Sequence, residues 1–423
     1  MSIHFVRTVL IVASVMWAVI VVITAIDGLE ADLDDYRCFY MGARAIVEDG
    51  PLYEVYQGGY IYPPLLAWVL APVSELGEAG SAFVWTLAMA ALAPLAAWLA
   101  AAAVRDALSA DWTRWQTAAI AASGMIVVME KFQRVLQQGN SDVLIALGFA
   151  AAMRWAVSRP IAAGLAIALT LNVKYLPVAF LPYLAVRRHW RALAATVVGV
   201  LLFAFLPSIT LGVSKNLDYL SHAFGGLGSS IAGEQRAETA ARIWPLTWHR
   251  AEGFPSALAR ATGQNRLAWL ITLGIAGLVF VQGWALYASR GLSLFARRAI
   301  TPDADRSDRL LVLLELCGLL VAVLVFSPQT IGRHFAIALP VTVVGAGLAV
   351  AHPSRLARAA LWAMLGWFML ALILPPGGVV ESAVQVWRDV SGAALALLCL
   401  YLYGVLWFGL DLVRRRSPAW VVS

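Results

Sequence analysis

Thirteen apolar runs, near residues 6–26, 62–76, 80–104, 116–131, 141–157, 161–173, 175–186, 190–210, 266–289, 310–326, 335–351, 357–374 and 389–412, leave this chain few folds to adopt. A backbone in lipid has no water to satisfy its N–H and C=O groups, so each span must form its own helical hydrogen bonds. The reading is an all-α polytopic membrane protein. Composition agrees, because only 13% of the residues are charged against about 25% in soluble domains. No stretch rich in Pro, Gly or Ser breaks the series, so residues 1–423 are read as one membrane domain.

The Lys and Arg residues sit in short clusters between apolar runs, a pattern of membrane topology rather than of nucleic-acid binding. Cys38, Cys317 and Cys399 lie far apart and suggest neither a disulfide framework nor a zinc site. The first run, preceded by His4 and Arg7, is long enough to span and is read as an uncleaved helix.

If all thirteen runs crossed, several basic clusters would face outward. Parity is restored when the run that begins at Tyr62, with Pro63 and Pro64 at its start, lies along the outer interface instead. About twelve transmembrane helices then remain, with both termini cytoplasmic and the acidic stretch Asp27, Glu30, Asp32, Asp34 and Asp35 outside. The short runs 161–173 and 175–186 are expected as a broken or tilted hairpin. The outer face receives loops 27–79, 132–140, the turn at Lys174, and 211–265, 327–334 and 375–388.

These loops hold most of the polar residues that topology leaves unexplained: Asp35, Tyr62, Gln138, Asn140, Asp142, Lys174, Gln235, Arg236, Arg333 and His334. Their convergence on one outward cavity is the functional expectation. Each also has a plainer reading. Asp34 or Asp35 would cap a helix expected over Tyr36 to Glu48. Lys174 would snorkel to the interface, although a cation on the outer side also suits a lipid-linked phosphate. Asn140 or Ser141 would cap the next membrane helix, with Asp142 favouring its dipole. Arg333 and His334, just before a membrane run, suit a phosphate or hydroxyl. Segment 211–265, too polar to span, is expected to form a lid or acceptor surface contacted through Gln235 and Arg236. The seventeen tryptophans are mostly explained by interfacial belts. The six histidines are scattered, so no obligatory cofactor or zinc is expected, and a loosely held Mg²⁺ or Mn²⁺ stays compatible with the pattern.

The stretch from Asp35 to Tyr53, followed by YIYPPLLAWVLAPVSEL, resembles the first outer loop of the GT-C glycosyltransferases. The resemblance is to glycosyltransferase family 87, the bacterial polyprenol-phosphate-mannose-dependent alpha-mannosyltransferases of the phosphatidylinositol-mannoside-extending type. It is carried by Asp35, Phe39 and Tyr40, Gly50, Leu52 and Tyr53, and Tyr62 to Pro64. QQGNSD resembles that family's Gly-Gln-x-Asn region, with Gly139 and Asn140 rearranged, and NVKYLP its Lys-x-x-Pro element through Lys174 and Pro177. SPQTIGRH resembles its Ser-Pro-x-Ser-Trp-x-His-His element, with Arg333 where the first His would stand and Ile331 in place of the Trp.

The resemblance implies a GT-C helical bundle in the bacterial inner membrane and inverting transfer of a sugar, mannose foremost, from a polyprenyl-phosphate donor to a glycolipid or glycan hydroxyl. It also implies Asp35 as base, with Lys174, His334 and Arg333 near the donor phosphate. One carboxylate suffices in such a reaction. Glycosidases need a second to protonate a leaving alkoxide, whereas a leaving phosphate collects its charge on oxygens that cations can stabilise. Arabinofuranosyl transfer from the same class of carrier needs the same groups. A lipid or solute transporter is the other alternative, but no repeat links the halves and the polar residues gather on one face.

Overall fold

The structure, a computed structural model, describes residues 1–30, 33–55, 60–232, 245–294, 306–373, 386–387 and 389–416, with backbone alone for 226–232, 306 and 416. Among these residues the chain is almost wholly helical, apart from an isolated bridge between Ala251 and Ile331.

Helix α1 (Ile3–Leu29) is capped by Ser2, whose hydroxyl accepts from the Phe5 amide at 3.3 Å. The short amphipathic α2 (Asp34–Val47) follows, then α3 (Leu65–Ser74), whose N-cap is Pro64. At ten residues α3 is too short to cross a bilayer core of about 30 Å at 1.5 Å per residue, as the topology reading requires. The long α4 (Gly77–Leu108) buries Ala93, Ala96, Ala97, Ala100 and Ala101, a stripe of small residues that lets neighbouring helices approach closely. Helix α5 (Arg114–Gln137) opens with a capping box between Thr113 and Gln116. It crosses closely against the helix described below as α15. A Cβ at Gly124 would fall 2.5 Å from Val343, and Thr342 Oγ1 donates to the Gly124 carbonyl at 2.8 Å.

Helices α6 (Asp142–Trp155) and α7 (Pro160–Leu171) lead into a 3-10 turn, Leu176–Ala179, and α8 (Phe180–Val186), the broken segment expected for 161–186. Then come α9 (Trp190–Phe205), the single turn α10 (Ser208–Leu211), α11 (Val213–Ala232), α12 (Phe254–Thr262) and α13 (Asn265–Ala288). Helix α14 (Arg306–Phe326) precedes a 3-10 segment, Gly332–Ala338, that runs into α15 (Leu339–Ala351). Last are α16 (Arg355–Ile373), α17 (Gly392–Cys399), a π-helical stretch Leu400–Leu406, and α18 (Trp407–Arg416).

Eight helical segments among the described residues are long and apolar enough to cross a membrane, by length and composition, so the protein is multi-pass. Three shorter apolar helices, Leu65–Ser74, Pro160–Leu171 and Leu176–Val186, lie beside them. The expected count of about twelve is therefore not reproduced by that criterion. Helix α5 carries Glu130, Lys131 and Arg134 near its end, where Glu130 pairs with Lys131 at 2.8 Å and with Arg134, and α6 is only fourteen residues long. Helices α1, α9 and α13 keep many large apolar side chains exposed, Ile11, Val198 and Leu278 among them, which suits lipid contact. The segments around α14 and α15 are buried inside the bundle.

Candidate active site

The α5–α6 connection builds the centre of the site. Gly139 adopts the left-handed region at φ +66°, and a Cβ there would stand 2.4 Å from the Tyr36 Cβ, so glycine is required twice over. The bend turns the Gln138 carbonyl toward the start of α2, where it accepts from the amides of Asp35 at 2.9 Å and Tyr36 at 3.2 Å. Trp85 of α4 secures the same bend by donating to the Gly139 carbonyl at 2.9 Å. These two free amides of the helix start are thus satisfied by another segment.

Helix α2 begins at Asp34 rather than at Tyr36, its N-cap is Leu33, and no side chain caps it. The helix-capping role considered for Asp34 or Asp35 is absent. The Asp35 carboxylate points instead to Asn140, whose Nδ2 donates to Oδ2 at 2.6 Å, and to Arg333, whose Nη2 lies 2.7 Å from the same oxygen. The other end of the Arg333 guanidinium, Nη1, donates to Gln138 Oε1. A closed ring results: Asp35 carboxylate, Arg333, Gln138 side chain, Gln138 carbonyl, Asp35 amide.

Asn140 joins this ring to a second unit. Its Oδ1 accepts from the Asp142 amide at 3.0 Å and so begins α6, while the Ser141 hydroxyl has no hydrogen-bond partner among the described residues. Asp142 is fully buried, and its Oδ1 accepts from Lys174 Nζ at 2.7 Å. His334 Nε2 stands 3.3 Å from the same ammonium and 3.8 Å from Asp142 Oδ2. Burial is the largest influence and by itself would lower the Lys174 pKa, but the charge and hydrogen bond of the Asp142 carboxylate, together with Tyr62, outweigh it and raise the pKa above the ordinary lysine value. Tyr62 lies within range of the charges of Lys174, Asp35, Asp142 and Arg333; burial raises its phenol pKa and Lys174 offsets part of that.

An aromatic wall backs the site. Phe39 packs on Tyr62 and Trp85 with ring centres 5.8 and 5.7 Å apart, and Tyr53 donates to the Tyr62 carbonyl at 3.0 Å. Burial pushes the Tyr36 phenol up to about 12. Helix α11 closes over this wall: Lys215 pairs with Asp49, Tyr219 donates to the Gly50 carbonyl at 2.6 Å, and His222 stacks on Tyr53. Segments 27–79 and 211–265 therefore meet. Across the site, the Glu252 amide donates to the Thr330 carbonyl at 2.6 Å, holding segment 245–253 against the strand-like entry to His334.

Eight of the residues singled out from sequence, Asp35, Tyr62, Gln138, Asn140, Asp142, Lys174, Arg333 and His334, thus share one cluster. Arg236 and Gln235 lie outside the described residues, as does Asp32 of the acidic stretch. Sequence reasoning did not find Trp85, an indole within an apolar run, nor the left-handed turn at Gly139, for which the glycine of QQGNSD was the available signal.

Chemically, the cluster sets two carboxylates against two cations beside an aromatic wall. One carboxylate, Asp35, is 28% exposed and can meet a substrate, whereas Asp142 cannot. Among the described residues no three His, Cys, Asp or Glu side chains converge as metal ligands would.

A relative from Mycolicibacterium smegmatis, a polyprenol-phosphate-mannose-dependent alpha-(1-2)-phosphatidylinositol mannoside mannosyltransferase, is 28% identical over 391 residues, covering 86% of this chain and 80% of that protein. Among solved structures, ArnT from Cupriavidus metallidurans bound to undecaprenyl phosphate aligns with 98% of this chain and 79% of its own at TM-score 0.49 and 15% identity. Its apo state aligns with 97% and 78% at TM-score 0.42. The model of glycosyltransferase family 87 matches residues 60–328, a stretch that takes in Tyr62, the bend at Gly139, Asn140, Asp142 and Lys174, and the chain belongs to that family.

Proposed function

We propose that this glycosyltransferase moves a mannosyl residue from a polyprenyl-phosphate carrier to a hydroxyl of a glycolipid or glycan, at the extracytoplasmic face of a bacterial inner membrane. The observation that carries the reading is the single network in which an exposed carboxylate, Asp35, and a cation, Lys174, are joined through Asn140. The donor is the one named in the description of the relative from Mycolicibacterium smegmatis.

Asp35 is the general base. Both of its contacts fall on Oδ2, which leaves Oδ1 for the acceptor hydroxyl. As oxygen attacks the anomeric carbon from the side opposite the phosphate, the hydroxyl proton passes to Asp35, the bond to the phosphate oxygen breaks, and the configuration inverts. Lys174 and His334 receive the donor phosphate. Of the three N–H bonds of the ammonium, one serves Asp142 and one faces His334, so one is free for a phosphate oxygen. Tyr62 and Gln138 border the sugar. Asp142 holds Lys174 rather than touching substrate. No cofactor enters the scheme, because the carrier bond supplies the driving force. The chain acts as one membrane domain with both termini cytoplasmic and loops 27–79 and 211–265 on the active-site side.

The test is incubation of the purified protein with polyprenyl-phosphate mannose or polyprenyl-phosphate arabinose, with and without crude lipid acceptors. Acceptor-dependent release of polyprenyl phosphate from the mannosyl donor is expected. Release from the arabinosyl donor alone would exchange the sugar, and release from neither would overturn the proposal. Asp35→Asn should remain inserted and lose transfer by about 10²–10⁴-fold; normal turnover by that variant would reject Asp35 as base.

A further inference from the structure

Both terminal nitrogens of the Arg333 guanidinium already have a partner, while its Nε–H is buried with no hydrogen-bond partner among the described residues. Nη2 is held by Asp35 and Nη1 by Gln138, its side chain is 19% exposed, and the backbone that carries it is fixed by the Ala251–Ile331 bridge and a 3-10 segment. Its charge nevertheless reaches past the ring, since it acts on both Lys174 and Tyr62.

Asp35 and Asp142 balance Lys174 and Arg333, so the resting network has no excess positive charge to offer a donor. A sugar phosphodiester carries one negative charge before transfer. Afterwards the polyprenyl phosphate is a monoester that carries nearly two at neutral pH. Something must supply a positive charge during the reaction and not before it.

We infer that Arg333 is kept neutralised by Asp35 in the resting site, and that the proton transfer to Asp35 unmasks its charge as the second phosphate charge develops. The inference rests on the polyprenyl-phosphate reading above and deepens it. The acceptor O–H bond breaks and its proton goes to Asp35, which passes from −1 to 0. The acceptor oxygen bonds to the anomeric carbon, and the bond from that carbon to the phosphate oxygen breaks with its electron pair on the phosphate, which passes from −1 to −2. Arg333 never moves. It loses its counter-charge at the moment the phosphate needs one, so its attraction is stronger in the transition state than in the ground state, which is the condition for raising rate rather than affinity. In the resting enzyme the same guanidinium is a positioning residue that seats the Asp35 carboxylate.

Two measurements test this. In kinetics, Arg333→Gln should lower kcat by about tenfold to a hundredfold while donor KM changes by no more than about twofold, with Arg333→Lys recovering part of kcat. A rise in KM at unchanged kcat would show ordinary phosphate binding and overturn the inference. In binding, Asp35→Asn imitates the protonated base, so purified polyprenyl phosphate should bind that variant roughly tenfold tighter than it binds the wild-type protein. The gain should persist in Asp35→Asn/Arg333→Lys and vanish in Asp35→Asn/Arg333→Gln. Equal affinity of wild type and Asp35→Asn, or a gain that survives without a cation at 333, overturns this inference alone. A wild-type protein that binds neither donor nor polyprenyl phosphate overturns the donor reading, and this inference with it.

Discussion

Removing one member of the Asp142–Lys174 pair should be far more damaging than removing both. The Lys174 ammonium is 2.7 Å from a carboxylate with no exposure and is itself only 13% exposed. Asp142→Asn would strand a nearly buried cation with the His334 ring nitrogen 3.3 Å away; Lys174→Met would strand a buried anion. Breaking such a pair costs about 3–5 kcal/mol on either side. In Asp142→Asn/Lys174→Met no charge is left unpaired, and only a buried amide lacks a partner, at about 1–3 kcal/mol. The double variant should therefore fall short of the summed single losses by about 3 kcal/mol or more. Unfolding in mixed detergent micelles titrated with sodium dodecyl sulfate reads the difference. Additivity within about 0.5 kcal/mol would refute the reasoning, because it would mean that the two groups do not sense each other. The sign with pH follows from the raised Lys174 pKa. The pair's contribution is complete below the ordinary lysine value near 10.5 and is lost only as pH rises past the folded-state value, so cycles at pH 7 and 9 should agree. The double variant, stable again, should still bind donor weakly; unchanged donor KM would remove Lys174 from the phosphate site.

Gly139→Ala should destabilise the protein by more than about 1 kcal/mol and depress transfer, since the added carbon meets Tyr36 and strains a φ of +66°; wild-type stability would show that α2 is not seated by this bend. A different outcome is expected away from the site. Glu315 of α14 accepts from Arg187 at 2.6 Å, Tyr183 at 3.1 Å and Tyr287 at 3.5 Å, tying α8 and α13 to the bundle. Glu315→Gln should lower thermal stability yet leave turnover per folded molecule unchanged, and a selective loss of kcat would give that network a catalytic role it is not assigned here.

How much of this was legible beforehand follows from what sequence spacing can encode. Hydrophobic runs report burial in lipid directly, so the all-helical multi-pass fold, the short helix after Pro64 and the break after Lys174 could be read in one dimension. The members of the site were legible for a related reason: polar groups are costly near a bilayer, and those that topology left unexplained on one face were few. The helix count was less secure, because charged α5 and short α6 sit at the limit of what composition recognises as a span.

Pairing within the site was a matter for tertiary structure. Asp35 meets Asn140 across 105 residues, Lys174 meets Asp142 across 32, and Arg333 meets Gln138 across 195. No local pattern records which carboxylate takes which cation at such separations. Sequence thus determined which side chains were available. Only the folded chain decided that Asp142 is the buried counter-ion of Lys174, that Arg333 lies on Asp35, and that the Asp35 carboxylate stays partly exposed. Electrostatic pairing depends on distances of a few Å, set by how the bend at Gly139 packs against α2 and α4.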